Sequence, residues 1–158
     1  MDALFELAMT VKAVQREIER NLNEALRPFG LTAAQAEAIV VIGQAEPLSL
    51  KALGELLIAE AGHPSRLVDR LVEAGLVERR SAASDRRRVD LSLTRKGREL
   101  EQRVNAVRMH VLQRGHQLLG DRDLEPALEI LRVLLDDSPF VQLIARRAEL
   151  LERAGAAA

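Results

Sequence analysis

A mainly α chain with a two-stranded β wing, its small central lobe set between long flanking helices, is the fold class this sequence predicts. Three observations predict it. Apolar residues recur at steps of three and four through most of the 158 residues, which is the period of amphipathic helices. The period drops to two around Val89, Leu91 and Leu93, which alternate with Asp90 and Ser92 as in a half-buried strand. Just upstream, Val77 to Arg80 is β-prone as well, and Ser81 to Arg88 joins the two runs with turn formers and a cluster of three arginines.

The elements follow in order. Leu4, Leu7, Val11, Val14, Ile18, Leu22, Ala25 and Phe29 make one stripe, so the first helix is long and ends near Arg27-Pro28, with Gly30 closing it. Thr32 and Gln35 form a capping-box pattern that opens a helix to about Gln44, and Pro47 marks its end. Ser49 is a good N-cap for a short helix whose Leu50, Leu53, Leu56 and Leu57 face inward. Gly62-His63-Pro64 breaks the chain and starts the next helix, since proline is tolerated in a first turn. There Leu67, Val68, Leu71 and Val72 form the buried stripe, Ser65, Arg66, Asp69, Arg70 and Glu73 face outward, and Gly75 is the stop. After the hairpin, Thr94 caps a long helix to about Leu119. The turn Gly120 to Asp123 leads into a helix from Leu124 to Leu135, and Pro139 separates that from a last segment, Phe140 to Arg153.

Two short helices followed by a two-stranded wing make a winged helix-turn-helix, whose second helix enters the DNA major groove. The chain divides into an N-terminal dimerisation helix (1–30), a DNA-binding lobe (31–98) and C-terminal dimerisation helices (99–158). The flanking helices carry more apolar surface than so small a lobe can cover, and a second copy of the chain is the simplest partner. Leu4, Leu7 and Val11 at one end, and Leu118, Leu131, Leu135, Phe140, Leu143, Ile144 and Leu151 at the other, are the expected dimer residues.

Composition narrows the chemistry. Without cysteine there are no disulfides, thiolate metal sites or thiol redox sensors. His110 and His116 lie six apart on one helix, which is not the i, i+4 spacing of a zinc pair, so no metal is expected. Candidate nucleophiles are serines and threonines in caps or loops, with no histidine and carboxylate beside them, so catalysis is not expected. From Ala61 to Arg98 ten Arg or Lys stand against five Asp or Glu, a net of +5 that leaves −6 for the rest of a chain whose total is −1. One surface is therefore built for a polyanion. No stretch reaches the roughly 18 apolar residues that cross a bilayer, so no membrane partner and a cytoplasmic location are expected.

The run Asp85 to Gly97 holds Asp-x-Arg, an alternating strand and Leu93-Thr94-Arg95-Lys96-Gly97, and Arg66 to Arg79 supplies a matching helix and exit. On these two runs, and on the order of elements from Leu4 to Leu135, the chain resembles the MarR family of bacterial transcriptional regulators. The resemblance implies that Asp85 orients Arg87, which enters the minor groove, while Arg86 and Arg88 touch phosphates or solvent. It implies that Ser65 and Arg66 meet base edges or phosphates, with His63 as a third contact, Pro64 beside it and Arg70 further along. Gly62 to Ser65 departs from the family's hydroxyl-rich run, leaving Ser65 as its one hydroxyl. Ser49, at a helix N-terminus, can cap and also grip a phosphate. The resemblance further implies a homodimer on a pseudo-palindromic double-stranded DNA operator, a repressor's role, and release by a small aromatic or anionic effector, with no resident cofactor.

The plainer readings are a solvated arginine loop, and Arg66 and Arg70 pairing with Asp69 and Glu73 along one helix. At the level of function the alternatives are a winged helix used for protein contact, against which the basic wing argues, and a DNA-binding regulator with no effector.

Overall fold

The computed structural model describes residues 2–58, 64–81 and 89–156. Helix α1 (Ala3–Leu26) is capped by Asp2, whose Oδ1 accepts the Leu4 N–H at 2.9 Å. A 3-10 turn (Arg27–Phe29) and Gly30 at φ +67 swing the chain into α2 (Ala33–Ala45). The Thr32/Gln35 capping box is present in both directions, and α1 contributes a further acceptor, Asn23 Oδ1, for the Ala33 N–H at 2.8 Å.

Helix α2 is the hub. Ala36, Ala38, Ile39, Val40, Val41 and Ile42 are all buried, a helix apolar on every side because it is surrounded on every side. It touches α1, α3 (Leu50–Gly54), α4 (Ser65–Glu73), β3 (Val89–Leu93), α5 (Arg95–Leu119) and α7 (Pro139–Ala156). Around it Leu26, Leu53, Leu57, Val68, Leu71, Leu91, Leu93 and Val104 close one continuous core.

The mainly α architecture with a β wing is the one expected, and the sheet gains a third strand. The order is β1 (Leu48–Ser49), β3, β2 (Val77–Ser81), all antiparallel, with Leu48 opposite Leu91 and Val77 opposite Leu93. Two residues directly after a proline, the second of them itself a helix cap, carry no period, which is why β1 is not legible as a strand. Its presence makes β3 central and changes the alternation at the wing end. Val89, expected inward, is 45% exposed because it lies beyond the core toward the hairpin tip, whereas Asp90, expected outward, is only 8% exposed.

The C-terminal third departs further. Helix α6 (Glu125–Leu134) has no buried residue. Helix α7 folds back onto its own lobe: Arg146 pairs with Glu55 of the α3 end at 3.0 Å, and Arg147 with Glu37 of α2 at 3.6 Å. Leu143, expected to face a partner subunit, is therefore only 6% exposed within the protomer. Apolar spacing reveals that a helix has a sticky side but not what covers it. Among the described residues no single helix is long and apolar enough to cross a membrane.

Candidate nucleic-acid interface

The lobe presents α4 as the sequence predicts. Leu67, Val68 and Leu71 are buried, while Ser65, Arg66, Asp69, Arg70 and Glu73 are exposed. Pro64 is the N-cap residue and is itself buried. The helix ends in a Schellman turn: the Leu76 N–H reaches Leu71 O and the Gly75 N–H reaches Val72 O, both at 2.9 Å. Gly75 adopts φ +69, the left-handed conformation that this turn requires and that glycine takes without strain.

From this turn the chain enters the wing, and the Leu93 to Gly97 motif holds the two together. The Thr94 hydroxyl donates to Gly75 O at 2.7 Å and accepts the Gly97 N–H at 3.0 Å, capping α5 while fastening it to the end of α4. Lys96 Nζ adds a bond to Ala74 O at 2.9 Å. Gly97 sits so close to the chain that a Cβ there would lie 2.0 Å from Leu76 O.

Two contacts were not legible in the sequence. Asp69 is held by Arg79 of β2, Nη2 to Oδ1 at 2.6 Å, rather than by its neighbours on α4. Glu46 accepts the Leu93 N–H at 2.7 Å, past the end of the short strand β1, and pairs with Arg98. Partners this distant in sequence leave no local spacing to detect.

Ser49 caps α3, its Oγ accepting the Ala52 N–H at 3.1 Å, and is half-buried. His63, Asp85, Arg86, Arg87 and Arg88 lie outside the described residues. The basic surface that is described comprises the exposed Arg66, Arg70, Arg79, Arg80, Arg95 and Lys96 on α4, β2 and the start of α5.

Away from the lobe, apolar side chains face solvent. Leu4 (61%), Val11, Leu118 (73%), Phe140, Ile144 and Leu151 are exposed, and Leu7, Leu131 and Leu135 half-buried. Phe5, Met9, Met109 and Val133 are exposed too, and were not singled out because the spacing argument marked only the main stripe.

A short α4 bared on one side, a strand pair at its exit whose β2 carries Arg79 and Arg80, and a hub helix beneath them define a winged-helix DNA-binding protein. Residues 31–97 match a winged helix DNA-binding domain. The multiple antibiotic resistance protein MarR of Escherichia coli is 31% identical over 125 residues, 79% of this chain and 78% of that one. The chain belongs to the MarR family of transcriptional regulators, which are not enzymes. Among solved structures, the transcriptional repressor CouR bound to a 23-mer DNA duplex superposes with a TM-score of 0.72 at 25% identity, covering 85% of this chain and 96% of that one. CouR from Rhodococcus jostii RHA1 bound to p-coumaroyl-CoA shares the fold, with a TM-score of 0.64 at 24% identity over 85% of this chain and 92% of that one.

Proposed function

We propose that this regulator acts as a homodimeric repressor on a pseudo-palindromic operator, with α4 of each protomer in the major groove and the wing in the adjoining minor groove. The observation that carries this is α4 itself. Its apolar residues are consumed by the core, so that Ser65, Arg66 and Arg70 have no role in holding the lobe together and stand free at the surface. The helix is short, its N-terminal turn bears Ser65 and Arg66, and a strand with Arg79 and Arg80 leaves directly from its end, the geometry that reads base edges and phosphates at once. A second copy covering α1, α5 and α6 supplies the paired half-site, and an operator occupied in this way excludes polymerase, which makes repression the output. DNA as partner puts the protein in the cytoplasm.

At the wing, Asp85 holds Arg87 in one rotamer for a narrow minor groove, while Arg86 and Arg88 serve phosphates. Ser49, His63 and Pro64 are further contacts in the same reading. A small anionic effector that prefers a dimer with misplaced recognition helices would release the DNA. Support for that part is the open space between α1, α2, α5 and α7.

The test is affinity for duplex selected from random sequence, followed across salt. Arg87→Ala is expected to weaken binding by about 1–3 kcal/mol with the dimer intact. Arg86→Ala should cost less and flatten the salt slope. Unchanged affinity of Arg87→Ala at matched salt would refute the wing assignment, and no binding at low salt would refute the whole reading.

A further inference from the structure

Glu46 stands where three elements meet. Its backbone N–H closes α2 on Ile42 O at 2.8 Å, while its carboxylate reaches the last residue of β3 and the first turns of α5. The side chain is only 17% exposed, and each of its oxygens has a partner inside the protein.

The first of these partners completes the sheet. Leu48 lies opposite Leu91 and Ser49 opposite Asp90, a register that would bring position 46 opposite Leu93. The Glu46 backbone closes α2 instead, and Oε2 accepts the Leu93 N–H at 2.7 Å in place of a ladder carbonyl. Leu93 is buried, and a buried N–H without an acceptor is costly. The carboxylate therefore ties β3 to the hub helix just where the strand gives way to Thr94.

The second partner is not needed for that. Oε1 pairs with Arg98 of α5, a helix whose N-terminus Thr94 already caps. Further along, α5 leans on α2 where a Cβ at Gly43 would lie 3.1 Å from Glu101 and where Val104 is fully buried. Arg98 adds a second point of attachment, and two points set the direction of a rod. A helix of 25 residues is about 37 Å long, so a tilt of about 5° at its first turn moves its far end by roughly 3 Å. That is close to the rise of about 3.4 Å between base pairs.

We propose that Glu46 is a positioning residue for operator recognition: by holding Arg98 it fixes the angle between the lobe and α5, and so the half-site spacing that the dimer accepts. The proposal rests on the paired half-site reading above and names the residue pair that sets the interval. Neither side chain has to touch DNA for this. Contacts from α4 and the wing choose the sequence of each half-site, and Glu46 with Arg98 chooses the distance between them.

Duplex selected from random sequence supplies the operator for the test, together with versions that have one base pair inserted between the half-sites, one removed, or a single half-site only. The unaltered protein is expected to lose roughly tenfold or more in affinity at either altered spacing. In Glu46→Gln, which keeps an acceptor for the Leu93 N–H, and in Arg98→Gln, that penalty should shrink to within about threefold, with affinity for the single half-site unchanged. The two variants shift the net charge in opposite directions, so a loss of discrimination shared by both does not come from altered attraction to phosphates. A spacing penalty as large as that of the unaltered protein overturns the proposal. So does a fall in single-half-site affinity that matches the fall on the full operator, because the pair would then only hold the lobe together. Arg98→Gln leaves Leu93 and its acceptor untouched, and decides the matter if Glu46→Gln fails to fold. Unaltered protein that binds every spacing alike refutes the paired half-site reading itself, and the proposal falls with it.

Discussion

Gly97 and Thr94 show how much a short motif can carry. One threonine both caps α5 and grips the end of α4, and one glycine admits the Leu76 carbonyl that this grip brings near. Gly97→Ala would push a methyl group into backbone that cannot yield, and is expected to cost about 3 kcal/mol, read as a drop in Tm of several degrees. Thr94→Val removes the hydroxyl's hydrogen bonds while keeping the shape, and should cost about 1–2 kcal/mol in the same measurement. The cap was legible, because a threonine immediately ahead of a helical run is a local signal. The need for glycine was not, since the carbonyl it faces comes from Leu76, some twenty positions earlier, and only the folded chain brings the two together.

At the scale of elements, the unit proposed to meet DNA is α4 strapped to β2. Its inward register of Leu67, Val68 and Leu71 was readable from spacing, as was the stop at Gly75. The strap was not: Asp69 looked like a partner for Arg66 on its own helix, and the structure gives it to Arg79 on the wing strand instead. Both side chains are half in solvent, so the pair contributes no more than about 1 kcal/mol to stability. A double-mutant cycle of Asp69→Ala and Arg79→Ala in chemical denaturation should find a coupling of roughly 0.5–1 kcal/mol. A coupling of zero would show that the strap holds nothing. The same limit on local reading hid β1 and the docking of α7: the first is too short to show a period, and the second is decided by Glu37 and Glu55, which belong to distant helices.

At the scale of the whole molecule, the single copy leaves apolar surface that the proposed dimer would cover. Helix α6 spans ten residues without burying one, and Leu128, Ile130, Val133 and Leu134 stand 41–74% exposed. A helix this short is marginal in water on its own, so its apolar side needs a cover that α1 and α5, with exposed residues such as Phe5, Ile18 and Met109, equally lack. Ile130→Asp combined with Leu134→Asp is expected to give a monomer in sedimentation and to weaken operator binding by roughly tenfold or more, as the two half-sites lose their linkage. A dimer of unchanged stability would remove α6 from the interface. The face of α4 that bears Ser65, Arg66 and Arg70 is, by contrast, exempt from all these duties. Residues that hold the lobe and residues proposed to read DNA share a helix without sharing a side, so the outward positions are free to drift or to be rewritten. A library confined to those three sites should yield folded proteins throughout, and new operator preferences would arise without any loss of stability to be repaired.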